Sequence, residues 1–371
     1  MDLYNYNMEK ELQQIINRIT GLDEAAIARA KEHQGKLAKP PGSLGKLEDI
    51  AIRLSGITGS THNHVDKRRI IVLCSDNGII EEGVSCTPRF VTAAQAANMT
   101  RAKTGMSSMA AYFHDEVQVV DVGIADPYDA SEVLDRNIRK GTSNFYKEDA
   151  MSRSECIKAI LIGTELAAKA KADGVALVGV GEMGIGNTST SSAALSVLTG
   201  LDVETVTGRG GGLTDEAFLH KKKILEESIS LRQPDKTDVI DVISKVGGFD
   251  IAAMCGVYIG CAAERIPVVI DGFISVVAAL CAHRLCPYAK DFMFPSHESF
   301  EPGYMKAVNE LGLEPYLNLG MRLGEGSGCV LAFEIIAAAC AMTNKMALFN
   351  EDSNIDDSYL DEIRKGDKFS V

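Results

Sequence analysis

The sequence predicts an α/β protein built on a parallel sheet with helices on both faces. Four short β-branched runs, residues 70–74, 117–122, 175–180 and 266–271, are each followed by Gly, Asp or Asn and then by a helical pattern. Strands that are apolar throughout and alternate with helices are typical of a sheet that is covered on both sides. Because such sheets bind ligands at the carboxyl ends of their strands, the loops after these runs are the first places to search for a site.

The first 65 residues have a different character and are predicted to be mainly helical. Apolar residues recur at helical spacing in residues 8–19 and again in residues 45–57. Between these stretches lies KPPGSLG, residues 39–45, whose prolines and glycines predict a turn.

Composition excludes several classes of partner. Asp and Glu number 51 against 38 Lys and Arg, which gives a net charge of −13, and no basic tract stands out. This balance argues against nucleic acid and against an anionic membrane surface. The nine cysteines form no C-x-x-C pair, which favours buried free thiols in a reducing compartment over a disulfide framework or a zinc site. The polar N-terminus and the interrupted apolar runs predict neither a signal peptide nor a membrane span, so we expect a cytoplasmic protein.

The first candidate site is the glycine-rich stretch GVGEMGIGNTSTS, residues 179–191, which follows the third run. Amide groups at the start of a helix, together with its positive dipole end, form an anion site that suits a phosphate. Gly179, Gly181 and Gly184 also satisfy the G-x-G-x-x-G fingerprint of dinucleotide-binding folds. However, Glu182 interrupts the loop where a pyrophosphate would approach. The pattern favours a phosphate over a dinucleotide, with a purely structural turn as a further alternative.

A second glycine cluster surrounds Arg209 in TGRGGGLT, residues 207–214, where the backbone can approach a ligand closely. Thr214 is predicted to cap the next helix. The lysines at 221–223 lie about two turns into that helix, from which one of them could reach the same phosphate. On pattern alone, a mobile loop with solvated lysines is an equal alternative.

The third candidate is Glu325, which Gly324 and Gly326 flank just before the apolar run 329–342. A glutamate at a helix start normally complements the helix dipole. The pattern alone therefore fits a helix cap as well as a catalytic base.

The histidines indicate no metal site. His62 and His64 form an H-x-H pair in a polar linker without an acidic partner motif, which favours a solvated loop. His297, in PSHES, is a possible substrate contact.

Taken together, these stretches resemble the nicotinate-nucleotide:dimethylbenzimidazole phosphoribosyltransferase family. The matching segments occur in the family's order from about residue 36 to residue 345, and the ordered set is highly specific. They are KPPGSLGKLE, EEGVSCTP, VTAAQAANMTRAKTG, VVDVGI, GVGEMGIGNTSTSSA, KVGGFDIAAMCGV, PVVIDGFIS, PSHES and LEPYLNLGMRLGEGSG.

The resemblance implies a Rossmann-like large domain over residues 66–344 and a small helical domain over residues 1–65, which residues from about 345 to 371 join. It implies a homodimer, with a heterodimer of paralogues as an alternative, and neither a metal nor another cofactor. The implied reaction transfers the 5-phosphoribosyl group of nicotinate mononucleotide to a base such as 5,6-dimethylbenzimidazole, with inversion at the anomeric carbon. The products are α-ribazole 5′-phosphate and nicotinate, and the pathway is cobalamin biosynthesis.

The resemblance also implies roles for individual residues. Glu325 matches the general base, and Glu182 matches a second active-site carboxylate. Thr87, Gln95 and Leu323 fall on the pocket for the incoming base. The nucleotide and phosphate environment comprises Gly184, Asn187, Thr188, Gly210, Gly211, Lys221 and Gly272. The family pattern leads us to expect serine at position 87, and the extra methyl group of threonine puts the identity of the accepted base in doubt.

Three alternatives stay open at this point. The same scaffold could act on a phenol or a purine, or could serve as one subunit of a heteromeric enzyme that only supports an active partner. A nicotinamide-dinucleotide dehydrogenase is the interpretation from outside the family, and it depends on the single G-x-G-x-x-G match.

Overall fold

The computed structural model describes residues 3–351 and 353–360, and all secondary structure given below belongs to these residues. Its centre is one six-stranded sheet in which every neighbouring pair is parallel. The strand order is β3-β2-β1-β4-β5-β6. The strands are β1 Arg68–Ser75, β2 Glu116–Gly123, β3 Leu134–Asp135, β4 Leu177–Met183, β5 Val268–Ile270 and β6 Met293–Pro295. The prediction of an α/β fold on a parallel sheet is confirmed.

Helices fill the connections between the strands and the two ends of the described chain. They are α1 Leu3–Asn17, α2 Glu24–Lys36, α3 Lys46–Thr58, α4 Val91–Thr100, α5 Gly105–Phe113, α6 Arg153–Ala172, α7 Asn187–Thr199, α8 Val203–Val206, α9 Asp215–Arg232, α10 Val239–Val246, α11 Phe249–Ala263, α12 Phe273–Leu285, α13 Gly303–Leu311 and α14 Ser327–Lys345. Short 3₁₀ helices cover Gly78–Glu82, Pro287–Phe292 and Ser358–Leu360.

The four predicted strands correspond to β1, β2, β4 and β5, with small differences at their ends. In β1 and β4 the residues that point to either face are buried, as expected for strands between two helical layers. The sequence did not predict β3 and β6. They are two and three residues long, which is too short to produce a recognisable hydrophobic period.

The strand order reverses between β1 and β4, the two central strands of the sheet. This is the order of the doubly wound dinucleotide-binding folds, and ligands of such sheets bind in the crevice at the point of reversal. Both strands end in polar groups there, because Asp76 and Asn77 follow β1 while Glu182 lies near the end of β4. The topology therefore places polar side chains from distant parts of the chain around one crevice.

Close packing of α6 against α11 supports the sheet from one side. A side chain at Gly163 of α6 would place its Cβ 2.6 Å from the backbone nitrogen of Val257 in α11, so only glycine allows this approach. Residues 249–262 of α11 are all buried. Such complete burial explains why this stretch is apolar on every side and shows no amphipathic pattern.

Helix α14 is the one described helix that is long and apolar enough to cross a membrane by length and composition. Core helices of soluble proteins also meet that test, and most of this helix is buried against the rest of the chain. Its single acidic residue, Glu334, forms a 2.7 Å ion pair with Nη1 of Arg68 at the start of β1. Helix α14 packs against strands β1, β4 and β5.

The segment that ends α2 pairs with the segment that follows α14. The Ala38 N–H donates to the Ala347 carbonyl at 2.8 Å, and the Phe349 N–H donates to the Lys36 carbonyl at 2.9 Å. Residues 361–371, which the expected helical domain includes, lie outside the described residues. The division into domains of residues 1–65 and 66–344 stays a prediction.

All nine cysteines are free, and eight of them are buried, as the sequence predicts. The exception is Cys86, which is exposed.

Candidate active site

A cavity of about 290 Å³ opens at the carboxyl end of the sheet, beside the point of strand reversal. Each residue predicted for the site except Lys221 lines it. The walls are formed by Ser85, Thr87, Val91, Gln95, Glu182, Met183, Gly184, Ile185, Gly186, Asn187, Thr188, Gly210, Gly211, Gly272, Phe273, Ile274, Ser299, Glu301, Arg322, Leu323, Gly324 and Glu325. The cavity thus unites loops that follow β1, β4, β5 and β6 with the segment that leads into α14.

Glu325 occupies a strained position in this cavity. Its φ is +65°, in the left-handed region that non-glycine residues adopt at a cost of about 1–2 kcal/mol. Its carboxylate accepts a 3.4 Å hydrogen bond from Nε2 of Gln95 and another of 3.4 Å from the N–H of Met106. Met106 belongs to the first turn of α5, so the carboxylate faces the positive end of α5. Of the two interpretations that the pattern left open, the helix cap does not apply in its strict sense, because the N-cap of α14 is Gly326 and the helix begins at Ser327.

Asp271, just after β5, holds the start of α14 in place. Its Oδ2 accepts from the N–H of Gly326 at 2.9 Å and its Oδ1 from the N–H of Gly328 at 2.6 Å. Burial raises the pKa of this carboxyl, while His297 and the amide donors oppose that shift. A side chain 55 residues away in the sequence therefore binds the amides on either side of Ser327, next to Glu325. The sequence did not reveal this role, since an Asp after a strand has no local feature that indicates a distant helix cap.

Glu182 lies within β4, whereas the sequence suggested that it lies in a loop. It is 7% exposed, and its carboxylate accepts a short hydrogen bond from Nδ2 of Asn187. Burial, and then the charge of the buried Asp250, raises the pKa of Glu182 to about 8, while the bond from Asn187 opposes that shift. A protonated carboxyl at neutral pH can donate a hydrogen bond to a ligand as well as accept one.

The strand assignment also changes the meaning of the glycine fingerprint. Gly179 and Gly181 are inside β4, where a Cβ would clash with Cys329 or with the backbone at Glu325. These glycines make room for α14 and its leading segment and do not form a loop around a pyrophosphate. The dehydrogenase interpretation loses the one match on which it depended.

One side of the cavity is suited to a flat aromatic base. Gln95 and Val91 belong to α4 at this wall, and Thr87 lies just before that helix. Leu323 is 56% exposed and lies at the rim, close to Gly105 at the start of α5. Val91 and Leu323 give this wall an apolar part beside the Glu325 carboxylate, an arrangement that could hold an aromatic ring and accept a hydrogen bond from its N–H.

The other side is suited to an anion. The Nζ of Lys221 donates to Oγ1 of Thr188 at 3.0 Å and to the carbonyl oxygen of Gly208 at 3.2 Å. From α9, the lysine thus reaches the second glycine cluster, residues 207–214, which we call the glycine loop. The sequence suggested this contact, although Lys221 is completely buried behind the cavity wall. Burial lowers the pKa of its ammonium group to about 8. Gly210 takes a positive φ of +54°, and a Cβ there would come within 3.0 Å of Oγ1 of Thr188.

The sequence pattern did not single out Glu301, Ser299 or Arg322, although the structure places them in the same cavity. All three follow β6 in the sequence, and the tertiary fold brings Glu301 to the Gly210 N–H, from which its Oε1 accepts at 3.2 Å. His297, which the sequence indicated as a possible substrate contact, is buried behind the wall, with its Nδ1 2.9 Å from Oγ of Ser296.

Within residues 3–351 and 353–360, no group of three or more His, Cys, Asp or Glu side chains is arranged to hold a metal ion. His62 packs edge-on against His33, with ring centroids 4.9 Å apart.

Comparison with known proteins identifies the family of this chain. The family described as phosphoribosyltransferase matches residues 19–353. A relative from Clostridium perfringens named nicotinate-nucleotide–dimethylbenzimidazole phosphoribosyltransferase is 51% identical over 360 residues, which cover 97% of this chain and 99% of that protein. The chain belongs to this phosphoribosyltransferase family. A Clostridium tetani protein of the same name is 46% identical over 96% of this chain and 98% of its own length.

Solved structures agree with the family assignment. The crystal structure of CobT from Thermus thermophilus superposes with a TM-score of 0.84 at 35% identity, covering 88% of this chain and 98% of that one. A further structure from the same organism, of the nicotinate-nucleotide–dimethylbenzimidazole phosphoribosyltransferase, gives a TM-score of 0.83 at 34% identity and covers 89% of this chain and 98% of that one. The family and the fold expected from the ordered motifs are confirmed.

Proposed function

We propose that this phosphoribosyltransferase moves the 5-phosphoribosyl group of nicotinate mononucleotide to an aromatic base such as 5,6-dimethylbenzimidazole. The products are α-ribazole 5′-phosphate and nicotinate, with inversion at the anomeric carbon. The single observation that carries this assignment is the cavity in which a carboxylate, Glu325, faces an apolar wall at one side and the glycine loop with Lys221 marks the other. Full-length relatives with this name supply the substrate class.

Glu325 acts as the general base. One ring nitrogen of the incoming base attacks the anomeric carbon while the other loses its proton, and a carboxylate within hydrogen-bond reach accepts that proton. Both hydrogen bonds to Glu325 are 3.4 Å long, which is weak by ordinary standards. The protein therefore donates only weak hydrogen bonds to this carboxylate, whose oxygens can accept a stronger hydrogen bond from a ligand.

Departure of nicotinate makes the ribosyl carbon oxocarbenium-like and needs no acid, because the pyridinium leaves as a neutral ring. Glu182 is the second carboxyl at the reaction centre. The positive pyridinium ring of the nucleotide beside it favours the carboxylate form, which can then stabilise the positive charge that develops on the ribose. Asn187 holds this side chain in place from the first turn of α7.

The phosphate is bound by the glycine loop. Gly210 and Gly211 present backbone to the cavity without side chains, and Thr188 lies opposite them. Lys221 supplies positive charge from behind the loop. Gly184 and Gly272 line the cavity at the ends of β4 and β5, where we place the sugar.

The partners beyond the small molecules are also part of the proposal. We expect a homodimer, with a pairing of paralogues as the alternative, and a cytoplasmic location. Sizing of the purified chain by light scattering distinguishes a monomer from a dimer, and assay of the same sample determines whether it is active without a second protein.

The reaction is tested by incubating the purified protein with nicotinate mononucleotide and a panel of bases, followed by mass analysis of the products. The panel includes 5,6-dimethylbenzimidazole, benzimidazole, adenine and phenol. We expect a ribosyl phosphate of at least one of these bases together with free nicotinate. The absence of such a product with every base would refute the assignment.

The base assignment is tested with Glu325→Gln, which keeps the size of the side chain but has one acceptor oxygen in place of two and cannot take up the proton. We expect the variant to bind nicotinate mononucleotide as the parent does and to lose turnover by a factor of about 10²–10⁴. Calorimetric titration measures binding, and steady-state kinetics measure turnover. Full activity of this variant would remove Glu325 from the catalytic role.

A further inference from the structure

Glu301 has an unusual place for an acidic side chain in a cavity that accepts a nucleotide. It lies after β6 and reaches the glycine loop, where its Oε1 accepts a 3.2 Å hydrogen bond from the N–H of Gly210. A Cβ at Gly208 would clash with the Glu301 carboxylate, so the side chain lies directly against the loop. The backbone amide that it binds belongs to the loop to which the phosphate subsite is assigned.

The charges around Glu301 are those expected around a bound anion. Positive charge on Lys221 and Arg322 acts on its carboxylate and opposes the increase in pKa that burial causes. Conversely, Glu301 is the nearby charge that favours the ammonium form of the buried Lys221. Lys221 and Glu301, both among the described residues, form no ion pair with each other. The Lys221 Nζ donates instead to Thr188 and Gly208.

One oxygen of this carboxylate has no partner within the described part of the chain. Oε2 of Glu301 is buried and receives no hydrogen bond there, even though a carboxylate can accept several. A buried acceptor without a partner destabilises the arrangement. Structural bonding alone therefore does not account for the position of Glu301.

We propose that Glu301 occupies the anion position of the ligand-free glycine loop and competes with the substrate phosphate for the Gly210 amide. The inference rests on the function proposed above. Phosphate binding displaces the carboxylate from Gly210 toward Arg322, at the open side of the cavity. Glu301 thereby weakens the binding of phosphorylated ligands, and it favours the release of the phosphorylated product after each turnover.

The physical reason is repulsion between two anions at one donor. A phosphate that enters beside an ionised carboxylate must either displace it or share the site with a like charge, and both reduce affinity. Replacing Glu301 by glutamine keeps the shape and an oxygen that can accept from Gly210. It removes the charge, and a neutral acceptor binds an amide about half as strongly as a carboxylate does.

The test is calorimetric titration of three probes, inorganic phosphate, nicotinate mononucleotide and nicotinate riboside, into the wild type, Glu301→Gln and Glu301→Ala. We expect both variants to bind phosphate and the mononucleotide about tenfold more tightly than the wild type. The affinity for the riboside, which has no phosphate, should change less than about twofold. Circular dichroism and urea unfolding establish that each variant is folded, and the two different replacements guard against a local defect in one of them.

Glu298→Gln is the matched control, because Glu298 lies on the same segment and has the same charge. Its Oε2 accepts from Nδ2 of Asn318, away from the glycine loop. We expect this variant to bind phosphate as the wild type does, and an equal gain in affinity would overturn the inference, since loss of net charge alone would then explain it.

Two other results would also overturn the inference. Unchanged or weaker phosphate binding by both Glu301 variants would exclude competition at the loop. An equal loss of affinity for the mononucleotide and the riboside would show that Glu301 binds the ribose hydroxyls instead. A failure of the wild type to turn over nicotinate mononucleotide is a separate result, which concerns the proposed function and not Glu301.

Discussion

At the scale of single residues, the backbone of Glu325 connects conformation with function. Its positive φ is unfavourable for any side chain with a Cβ, and glycine would avoid the strain. Strain of this kind persists where the surrounding structure enforces it, and such positions cluster at active sites. The conformation turns the carboxylate away from α14 and toward the first turn of α5. The sequence revealed the glutamate between its glycines but not this direction.

Comparison of Glu325→Ala with Glu325→Gly measures that strain, because both variants lack the carboxylate and differ only in the Cβ. We expect the glycine variant to be the more stable by about 1 kcal/mol, since alanine must adopt the left-handed conformation. Urea unfolding of both variants gives the difference. Both should have lost most of their turnover.

A control pair at Leu319, an exposed loop residue with no positive φ, should show the opposite order. There alanine should be more stable than glycine by about 0.4–1 kcal/mol, because it restricts the unfolded chain. If alanine were more stable than glycine at position 325 as well as at position 319, the backbone of Glu325 would not be strained.

The protonation of Glu182 has a consequence for stability. Its pKa is about 8 in the folded protein, against an ordinary value of 4.5. The folded state therefore binds a proton more tightly than the unfolded state does. This contribution to stability is fully present below about pH 4.5 and is lost as the pH rises through about 8.

Replacement by glutamine tests that linkage. The stability of Glu182→Gln relative to the wild type should increase as the pH rises from about 5 to about 8.5. The difference in the free energy of unfolding should change by about 1.4 kcal/mol for each unit by which folding raises the pKa of Glu182. Urea unfolding at the two pH values gives the comparison. Parallel pH dependence of the two proteins would show that Glu182 is ionised throughout.

At the scale of elements, helix α14 depends on Asp271 for its first turn. Two amides, those of Gly326 and Gly328, bind the two oxygens of one carboxylate. Helix starts leave such amides unpaired, and a side chain that accepts from them stabilises the helix. Since Glu325 directly precedes Gly326, the same contacts help to determine where the carboxylate that we propose as the general base lies.

Asp271→Asn should disturb both stability and turnover. Asparagine has one acceptor oxygen, so the N–H of either Gly326 or Gly328 loses its acceptor and faces the side-chain NH2 group. This loss should lower the free energy of unfolding by about 2 kcal/mol. Because Glu325 then shifts, we expect kcat to fall much more than KM for nicotinate mononucleotide changes. Steady-state kinetics and urea unfolding measure the two effects.

Asp202→Asn provides the control, because Asp202 caps α8 through one bond from the Thr205 N–H to its Oδ1. An asparagine can still accept that bond, so stability should change by less than about 0.5 kcal/mol. If Asp271→Asn changed KM and left kcat intact, Asp271 would have no part in positioning Glu325.

Elements also differ in how much of them the sequence could predict. The long apolar strands β1, β2 and β4 were recognisable because their β-branched runs reach five or six residues. The Thr214 cap of α9 was predictable from local pattern, and its side chain accepts from the Ala217 N–H as expected. The contacts of Asp271 and Glu301 were not, since their partners lie 55 and 91 residues away in the sequence. Local pattern therefore identified the loops, while tertiary folding determined which acids meet.

At the scale of the whole molecule, it can be measured whether the terminal helices open independently of the sheet. We propose that α2, α3 and residues 346–349 behave as one small unit. The backbone hydrogen bonds between residues 36–38 and residues 347–349 support this proposal, as does the packing of α2 against α3. A cooperative unit of this kind opens together and exchanges its amide hydrogens together.

Hydrogen exchange followed by mass spectrometry tests this division. We expect peptides from α2 and α3 to exchange at a similar rate to each other and faster than peptides from β1 and β4. Binding of nicotinate mononucleotide should slow exchange around residues 182–188 and 208–212 and leave the small unit unchanged. Exchange of all these regions at one common rate would mean that the chain opens as a single domain.

The bond between Glu325 and the first turn of α5 has a consequence for the newly made protein. Met106 and Glu325 are 219 residues apart in the sequence, and the glycine loop lies between them in the chain. On a ribosome, the glycine loop and Lys221 emerge well before the carboxylate does. Of the residues predicted for the site, Glu325 is the last to be synthesised, so the cavity lacks its proposed proton acceptor until α14 is about to be made.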